Sequence, residues 1–361
     1  MIAWLESAAA VVLTFGLVIF LHELGHFILC RWYGVRVERF AFGFGPELIG
    51  LTHEGTRYSV CALPLGGFVK PAGDNLEDCT GDPTEYFSKP WRHRLAIVAA
   101  GPFMNYFLAF LLFSGVILAR GTPEASQEPV IGELASGYPA DAAGLRVDDR
   151  VVRAQGREIA TWQEMADIIH AGTGKSIALD VLRAGAAVRA VVVPRKDPAS
   201  GNGVIGIMPK IDYRSVTVLE AAREGLDQCW LWTAYTVRTL AQKIYRRERP
   251  DLAGPVGIVQ MVHKAAHSSM EDLIFLIGLL SIAVGFFNIL PIPLLDGGHA
   301  VLYAWEGVSR KKLTLNAMTA ANSMGMVFLL SLLLFATYND LMRIRAEHRE
   351  KAVSQMQAKP Q

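Results

Sequence analysis

The sequence predicts a polytopic α-helical membrane protein with about four transmembrane helices, a small β-sheet element and one soluble α+β domain. Hydrophobic residues make up 52% of its 361 residues and charged residues 19%, whereas soluble domains carry roughly 25% charged residues. A membrane-spanning helix needs about 20 mostly apolar residues. Four stretches approach that length: residues 4–32, 95–119, 273–295, and 323–338 with its flanks.

Charge, cysteines and the N-terminus narrow the class of protein further. A net charge of +1 gives no basic field that would favour nucleic acid. The four cysteines show no paired spacing, so a disulfide framework is not expected. The N-terminus lacks a basic segment and a small-residue cleavage site, so its apolar run predicts a retained span rather than a removed signal peptide.

The segment between the first two spans is rich in glycine and in β-forming residues. Residues 37–46 and 56–69 predict two strands joined by a polar turn near 53–55. Because Pro64 cannot donate to a ladder, it should keep the second strand out of the centre of a sheet. This strand is therefore expected to form an exposed edge.

From about residue 128 to residue 209 the composition becomes that of a soluble domain. Short helices are predicted at 139–144 and 162–171, and strands at 129–134, 150–155, 177–183, 188–193 and 204–208. Residues 215–247 also look helical, but charged residues from Glu220 to Asp227 interrupt the apolar run. This segment predicts an amphipathic interfacial helix rather than a fifth span.

These features predict five segments. They are 1–120 (two spans with a β element at about 35–70), 121–212 (soluble domain), 213–269 (amphipathic linker helices), 270–345 (two further spans) and 346–361 (polar tail).

Basic residues near the span ends predict the orientation, because cytoplasmic loops are enriched in Lys and Arg. Five arginines lie near the membrane within 31–94, and Arg310, Lys311 and Lys312 lie in a predicted loop at 296–322. Both segments should be cytoplasmic, with residues 121–270 on the outer side. Basic residues just past the fourth span favour the opposite assignment, so the side of the tail stays open.

The first span contains the HExxH motif His22-Glu23-Leu24-Gly25-His26. Residues four apart share one face of a helix, with about 6 Å of rise between them. The two imidazoles can therefore bind one Zn²⁺, while Glu23 reaches the water that zinc activates. The alternative is a polar helix end at the membrane surface, but the motif follows the apolar run 11–21, where polar groups are costly without a function.

A catalytic zinc has three protein ligands and an open position. Asp296 is the best candidate for the third ligand, because Pro291 and Pro293 break the third span just before it. The alternatives are that Asp296 caps a turn or that His299 is the ligand. Asn288 lies in the apolar part of the same span, where its amide could bind substrate or the developing oxyanion, or brace neighbouring helices.

These motifs together resemble the site-2 protease family, and within it the RseP-like bacterial branch. The resemblance rests on HExxH in the first span, the glycine-rich β segment, Gly101-Pro102 with Asn105, and Asn288-x-x-Pro-x-Pro-x-x-Asp296-Gly297. It runs in register across nearly the whole chain. It implies an intramembrane zinc endopeptidase (EC 3.4.24 class) that cleaves single-span membrane proteins.

By motif position, the resemblance implies one Zn²⁺ on His22, His26 and Asp296. It also implies Glu23 as the general base and Asn288 as a substrate contact. The stretches 43–46 and 63–67 resemble the family's membrane-re-entrant β element, whose edge can add an extended substrate strand. The predicted substrate-binding positions there are Gly43, Gly45, Pro46, Gly66 and Gly67. Ordinary turn chemistry is the alternative for these glycines.

Residues 128–210 resemble a single PDZ domain, circularly permuted. Residues 144–151 look like its characteristic AGL-x-x-GD-x-V stretch, with Asp148 where glycine is usual. The carboxylate-binding loop would be Gly203, Val204, Ile205, Gly206 and Ile207, whose backbone amides could capture a peptide C-terminus. The alternative is a lid that binds no peptide.

The leading hypothesis is regulated intramembrane proteolysis in a bacterial inner membrane, with an anti-sigma factor as one candidate substrate. The active site would lie near the cytoplasmic side, and the PDZ-like domain outside. The rival hypotheses are a non-catalytic membrane adaptor and a zinc transporter or sensor. Glu23 favours the protease, because metal ligation alone does not require it.

Overall fold

The computed structural model describes residues 2–198, 201–247 and 254–357. The helices are α1 (Ile2–Trp32), α2 (Trp91–Arg120), α3 (Pro139–Ala142), α4 (Trp162–Ala171), α5 (Val218–Arg246), α6 (Pro255–Ala266), α7 (Met270–Ile289), α8 (Asp296–Ser309) and α9 (Leu315–Gln357). The strands are β1 (Val37–His53), β2 (Thr56–Pro71), β3 (Thr122–Ala125), β4 (Ile131–Leu134), β5 (Arg150–Ala154), β6 (Arg157–Glu158), β7 (Ile177–Arg183), β8 (Ala186–Val192), β9 (Arg195–Lys196), β10 (Gly203–Val204), β11 (Ile207–Pro209) and β12 (Ile211–Arg214). The chain divides into two compact units, Met1–Ile117 with Val218–Gln361, and Leu118–Thr217.

Within the described ranges, four helices of the first unit are long and apolar enough to cross a membrane, as the sequence predicts. They comprise Glu6–Trp32, Trp91–Arg120, Met270–Ile289 and Leu315–Arg345. The third ends at Ile289, earlier than the expected residue 295, because the prolines that follow cannot continue a helix. The protein is therefore a polytopic membrane protein.

The expectation that residues 296–322 form a loop is wrong for most of them, because α9 already begins at Leu315 and α8 begins at Asp296. Gly297 and Gly298 permit this start, because a β-carbon at either position would overlap the backbone of residues 289–293. The turn before the helix is tight, with Leu294 at a φ of 78°, a conformation that costs a non-glycine residue on the order of 1–3 kcal/mol. The result is that Asp296 is held against the end of α7.

Strands β1 and β2 are both sharply bent, so that each pairs with the other more than once. Residues 57–60 have Cα partners on both sides, in 39–42 and in 49–52, whereas 67–70 pair only with 39–42. The expectation of an edge is thus wrong for the first half of β2, which is central. Each strand bends at glycines with positive φ, at Gly43 and Gly45 in β1 and at Gly66 in β2. Residues 67–70, after the bend in β2, form the edge of the sheet.

Helix α5 covers the predicted helical segment and lies beside α2. A β-carbon at Gly225 would overlap Ser114, and the Tyr106 hydroxyl lies 3.1 Å from Thr233 Oγ1. The same helix exposes Leu226 and Trp230. An interfacial position for α5 stays a prediction.

The second unit is built on a four-stranded sheet in the order β6-β5-β7-β8, with additional strand pairs β4–β11, β3–β12 and β9–β10. Its core contains Val151, Met165, Ile177, Leu179 and Val181, all fully buried. Helix α4 has the predicted limits, and Thr161 and Glu164 form a capping box at its start. The predicted strand 204–208 is divided at Gly206, which has a φ of 83°.

Candidate metal centre

Three electron-rich atoms from α1 and α8 meet at one buried point. The Asp296 Oδ2 atom lies 3.0 Å from His22 Nε2 and 3.5 Å from His26 Nε2, and the two nitrogens are 3.2 Å apart. Zinc bonds of about 2.0–2.1 Å place neighbouring ligand atoms about 3.3 Å apart in a tetrahedron. The three distances therefore match one face of a tetrahedral zinc site.

The hydrogen bond of the His26 ring also fits a zinc site. Its Nδ1 lies 2.8 Å from the carbonyl oxygen of Ile97. Because a carbonyl only accepts, Nδ1 must donate, and Nε2 of the neutral ring then presents a lone pair. The Asp296 Oδ2 atom is likewise buried without a hydrogen bond. Two imidazole nitrogens and one carboxylate oxygen are ligand types that Zn²⁺ accepts, so the donor set fits a metal ion.

Helix α2 packs closely against α1 beside the two histidines. Gly25 of α1 lies against the Ala100 carbonyl, and Gly101 of α2 lies against both imidazoles. A side chain at either glycine would force the helices apart. Asn105, one turn beyond Gly101, is fully buried and lies 3.1 Å from His22 Nδ1 through its amide nitrogen.

Glu23 projects from α1 toward the sheet rather than into the ligand cluster. Its Oε2 accepts a hydrogen bond of 3.1 Å from the backbone N–H of Val69. Val69 lies in the edge segment of β2 and pairs on one side only, with Phe40. The carboxylate is thus held between the two histidines and the edge of the sheet.

A cavity of about 590 Å³ joins these groups, and its lining includes His22, Glu23, His26, Asn288 and Asp296. His299, the rival ligand, also lines it but does not belong to the ligand cluster of the described residues. Its Nδ1 is buried without a hydrogen bond, and its ring stacks on Tyr303.

The predicted glycines of the β element and Pro46 do not line this cavity, whereas Val69 and Pro71 do. Sequence reasoning missed Val69 and Ile97 because both act through backbone atoms, which leave no trace in side-chain type. Asn105 belongs to the motif that contains Gly101 and Pro102. Its spacing of four residues from Gly101 puts both residues on one face of α2, and this is the signal that could have assigned Asn105 to the site.

The five predicted loop residues of the second unit, 203–207, line a separate cavity of about 510 Å³ together with residues of α4. The left-handed conformation of Gly206 brings its Cα against Tyr138, where a β-carbon would overlap the ring. Asp148 has a φ of 66°, which explains why glycine would be favoured at that position.

Comparison with known proteins decides the family. The model of peptidase family M50 matches residues 10–332. The chain belongs to peptidase family M50. This is the site-2 protease family of zinc metalloproteases, and the chain is accordingly a zinc metalloprotease of this type.

Curated M50 relatives match along nearly their whole length. A protein of Clostridium acetobutylicum, named as a candidate zinc metalloprotease, is 32% identical over 91% of this chain and 96% of its own. A Mesorhizobium japonicum protein of the same designation is 34% identical over 90% of this chain and 95% of its own. Among solved structures, the PDZ domain of an SdrC-like protein from Listeria innocua matches 25% of this chain and 99% of its own, at 19% identity and a TM-score of 0.22. So low a TM-score supports no conclusion, and the PDZ-like nature of the second unit stays a prediction.

Proposed function

We propose that His22, His26 and Asp296 bind one zinc ion and that Glu23 is the general base of an intramembrane endopeptidase. The observation that carries this proposal is the convergence of two imidazole nitrogens and one carboxylate oxygen at 3.0 to 3.5 Å, beside helices long and apolar enough to cross a membrane. Zinc, when bound, lowers the pKa of a coordinated water to about 7 and polarises the scissile carbonyl.

Glu23 acts first as a general base and then as a general acid in this proposal. The Val69 N–H holds its Oε2 atom, which leaves Oε1 to take a proton from the attacking water and later deliver it to the departing amine. The backbone hydrogen bond fixes the carboxylate beside the histidines without using a mobile side chain. This fixed position is what a general base requires, because proton transfer needs hydrogen-bond contact with the attacking water.

Substrate binding follows from the free edge of β2. Residues 67–70 pair on one side only among the described strands, so an extended peptide can add to the other side, next to Glu23. Adding a strand exposes the peptide bonds that a transmembrane helix hides. Asn288 lines the same cavity and is the proposed contact for the substrate backbone.

The far end of the sheet supports a position within the membrane. Leu48, Ile49 and Leu51 are between 66% and 73% exposed, which is costly in water but favourable against lipid. A re-entrant sheet of this kind suits single-span membrane proteins as substrates, since it meets them at membrane depth. Gly43, Gly45, Pro46, Gly66 and Gly67 would act by shaping the bend that brings the edge to the site.

The second unit is proposed to bind peptide C-termini through Gly203, Val204, Ile205, Gly206 and Ile207, which together line a cavity. On this proposal it lies on the outer side of a bacterial inner membrane, the metal site lies near the cytoplasmic side, and an anti-sigma factor is one candidate substrate class. The basic residues near the span ends support this orientation.

The decisive experiment uses the full chain in lipid vesicles with a tagged single-span substrate. Glu23→Gln should reduce the cleavage rate by about 10²–10⁴-fold, the usual contribution of a general base, while bound zinc stays at the wild-type level. Continued cleavage at the wild-type rate would exclude Glu23 as the base. Wild-type protein that holds no zinc after metal loading would overturn the ligand assignment.

A further inference from the structure

Asn105 is a buried polar residue of α2 that the proposed chemistry leaves without a role. Its side chain is 0% exposed and its amide nitrogen lies 3.1 Å from His22 Nδ1. The Oδ1 atom at the other end of the carboxamide is buried and has no hydrogen-bond partner among the described residues. Buried polar atoms of this kind nearly always have partners, so the orphan oxygen points to a function.

The state of His22 decides what that function is, and this step rests on the ligand set proposed above. Its Nε2 faces His26 and Asp296 and is therefore the atom offered to the metal. A neutral imidazole that offers a lone pair at Nε2 carries its proton on Nδ1. Nδ1 then needs an acceptor, and within the Asn105 carboxamide only Oδ1 can accept.

The two ends of a carboxamide have nearly the same shape, so a half-turn exchanges them at no steric cost. We infer that Asn105 presents Oδ1 to the His22 Nδ1–H when the metal is bound, and so positions this ligand. The turn leaves the amide nitrogen facing the side that Oδ1 faces now. The bond gained comes from an imidazole that carries part of a cation's charge, and such charge-assisted hydrogen bonds are roughly twice as strong as neutral ones.

The second histidine of the motif shows the same arrangement. His26 Nδ1 donates to the Ile97 carbonyl, which also belongs to α2. Helix α2 thus supplies one oxygen acceptor to each imidazole, a backbone oxygen for His26 and a side-chain oxygen for His22. Asn105 is itself fixed from behind, because Ser281 of α7 donates a hydrogen bond of 2.8 Å to its backbone carbonyl.

Metal affinity is the direct test, because loss of such a partner typically lowers affinity by about 10–100-fold. The full chain in detergent is titrated with Zn²⁺ against a chromophoric chelator, and the Co²⁺-loaded form is examined by visible absorption. Asn105→Leu, which keeps the bulk but removes the acceptor, should lose about 10–100-fold in affinity and change the Co²⁺ spectrum. Asn105→Asp, which keeps an oxygen in place, should stay within a few-fold of wild type.

Gly115→Ala on the same helix is the control, because nothing lies within 4 Å of a β-carbon there; it should bind Zn²⁺ as wild type does. Where Asn105→Leu does not fold, Asn105→Ala makes the same comparison. The inference is overturned if the acceptor-free variant keeps wild-type affinity, or if Asn105→Asp binds more weakly than Asn105→Leu, as it would if Asn105 were the donor. Wild-type protein that fails to bind Zn²⁺ refutes the proposed ligand set, whereas zinc binding that is insensitive to Asn105 refutes this inference alone.

Discussion

Gly101 of α2 lies so close to His26 of α1 that a β-carbon at residue 101 would overlap the imidazole Nε2. The same β-carbon would come within 2.7 Å of His22 Cε1, a separation that real side chains do not show. The short distance between these two helices therefore depends on the absence of a side chain at Gly101, as it does at Gly25. Both histidines face the backbone of α2, and their positions depend on it.

Gly101→Ala should weaken zinc binding at least about tenfold, because the imidazoles must move away from the positions they share with Asp296. Zinc titration of the purified full chain measures the effect. Gly115→Ala is a control on the same helix, since nothing lies within 4 Å of a β-carbon there. An affinity for Gly101→Ala equal to that of Gly115→Ala would show that the helices adjust without cost.

The side-chain pattern was sufficient to predict which side chains meet at the site, and to predict four apolar helices. HExxH places His22 and His26 together by helix geometry alone, since residues four apart share a face. Asp296 was predictable because the prolines before it end α7, and the structure brings its carboxylate to both histidines. In each case the signal is carried by side-chain type and local spacing.

What could not be predicted depends on backbone contacts between distant segments. The hydrogen bond from Val69 to Glu23 uses an N–H that every residue but proline has. The central position of 57–60 depends on which segments pair across a bend, and Pro64 limits pairing only at its own position and that of its neighbours. Helix α8 is not predictable from its sequence, because it begins without a capping side chain and with a glycine pair that usually indicates a turn.

Asp296→Ala should abolish stoichiometric zinc binding, whereas His299→Ala should leave zinc content close to that of wild type. Among the residues that the structure describes, Asp296 alone contributes an oxygen to the cluster with both histidines; His299 lines the cavity from α8 without joining it. Metal analysis of the purified variants after dialysis against a weak chelator measures the difference. The reverse result would make His299 the third ligand.

Val69→Pro should slow cleavage about tenfold or more and leave zinc binding unchanged. Proline removes the N–H that holds Glu23, and one hydrogen bond to a charged group is worth about 1.5–3 kcal/mol. The edge position tolerates proline because this N–H faces Glu23 rather than a neighbouring strand. Val69→Ala, which keeps the N–H, is the control and should cleave at nearly the wild-type rate. Equal rates for the two variants would mean that Glu23 is positioned by other contacts.

Asp149→Asn should lower the free energy of unfolding of the second unit by about 3 kcal/mol at neutral pH. This value is at the low end of the range for breaking a buried ion pair, because Arg183 is partly exposed. The Asp149 side chain is fully buried and accepts two hydrogen bonds from Arg183, at 2.8 and 2.7 Å, and one from the Arg146 N–H. Hydrogen exchange within residues 118–217 of the full chain measures the loss. Asp180→Asn is the control, because its pair with Arg189 is exposed and 3.7 Å long, and such pairs contribute about 0–1 kcal/mol.

The same residue should make the stability of this unit depend on pH in one direction. Burial alone would raise the pKa of Asp149, but the Arg183 guanidinium and the Arg146 N–H outweigh it and hold the pKa below its ordinary value of 3.8. The folded unit thus binds the proton more weakly than the unfolded chain, so the contribution is complete above about pH 4 and is lost as the pH falls through the lowered pKa. The difference between wild type and Asp149→Asn should therefore be constant from about pH 5 to 8 and shrink below about pH 4. A difference that persists undiminished in acid would assign the effect to lost packing rather than to the ion pair.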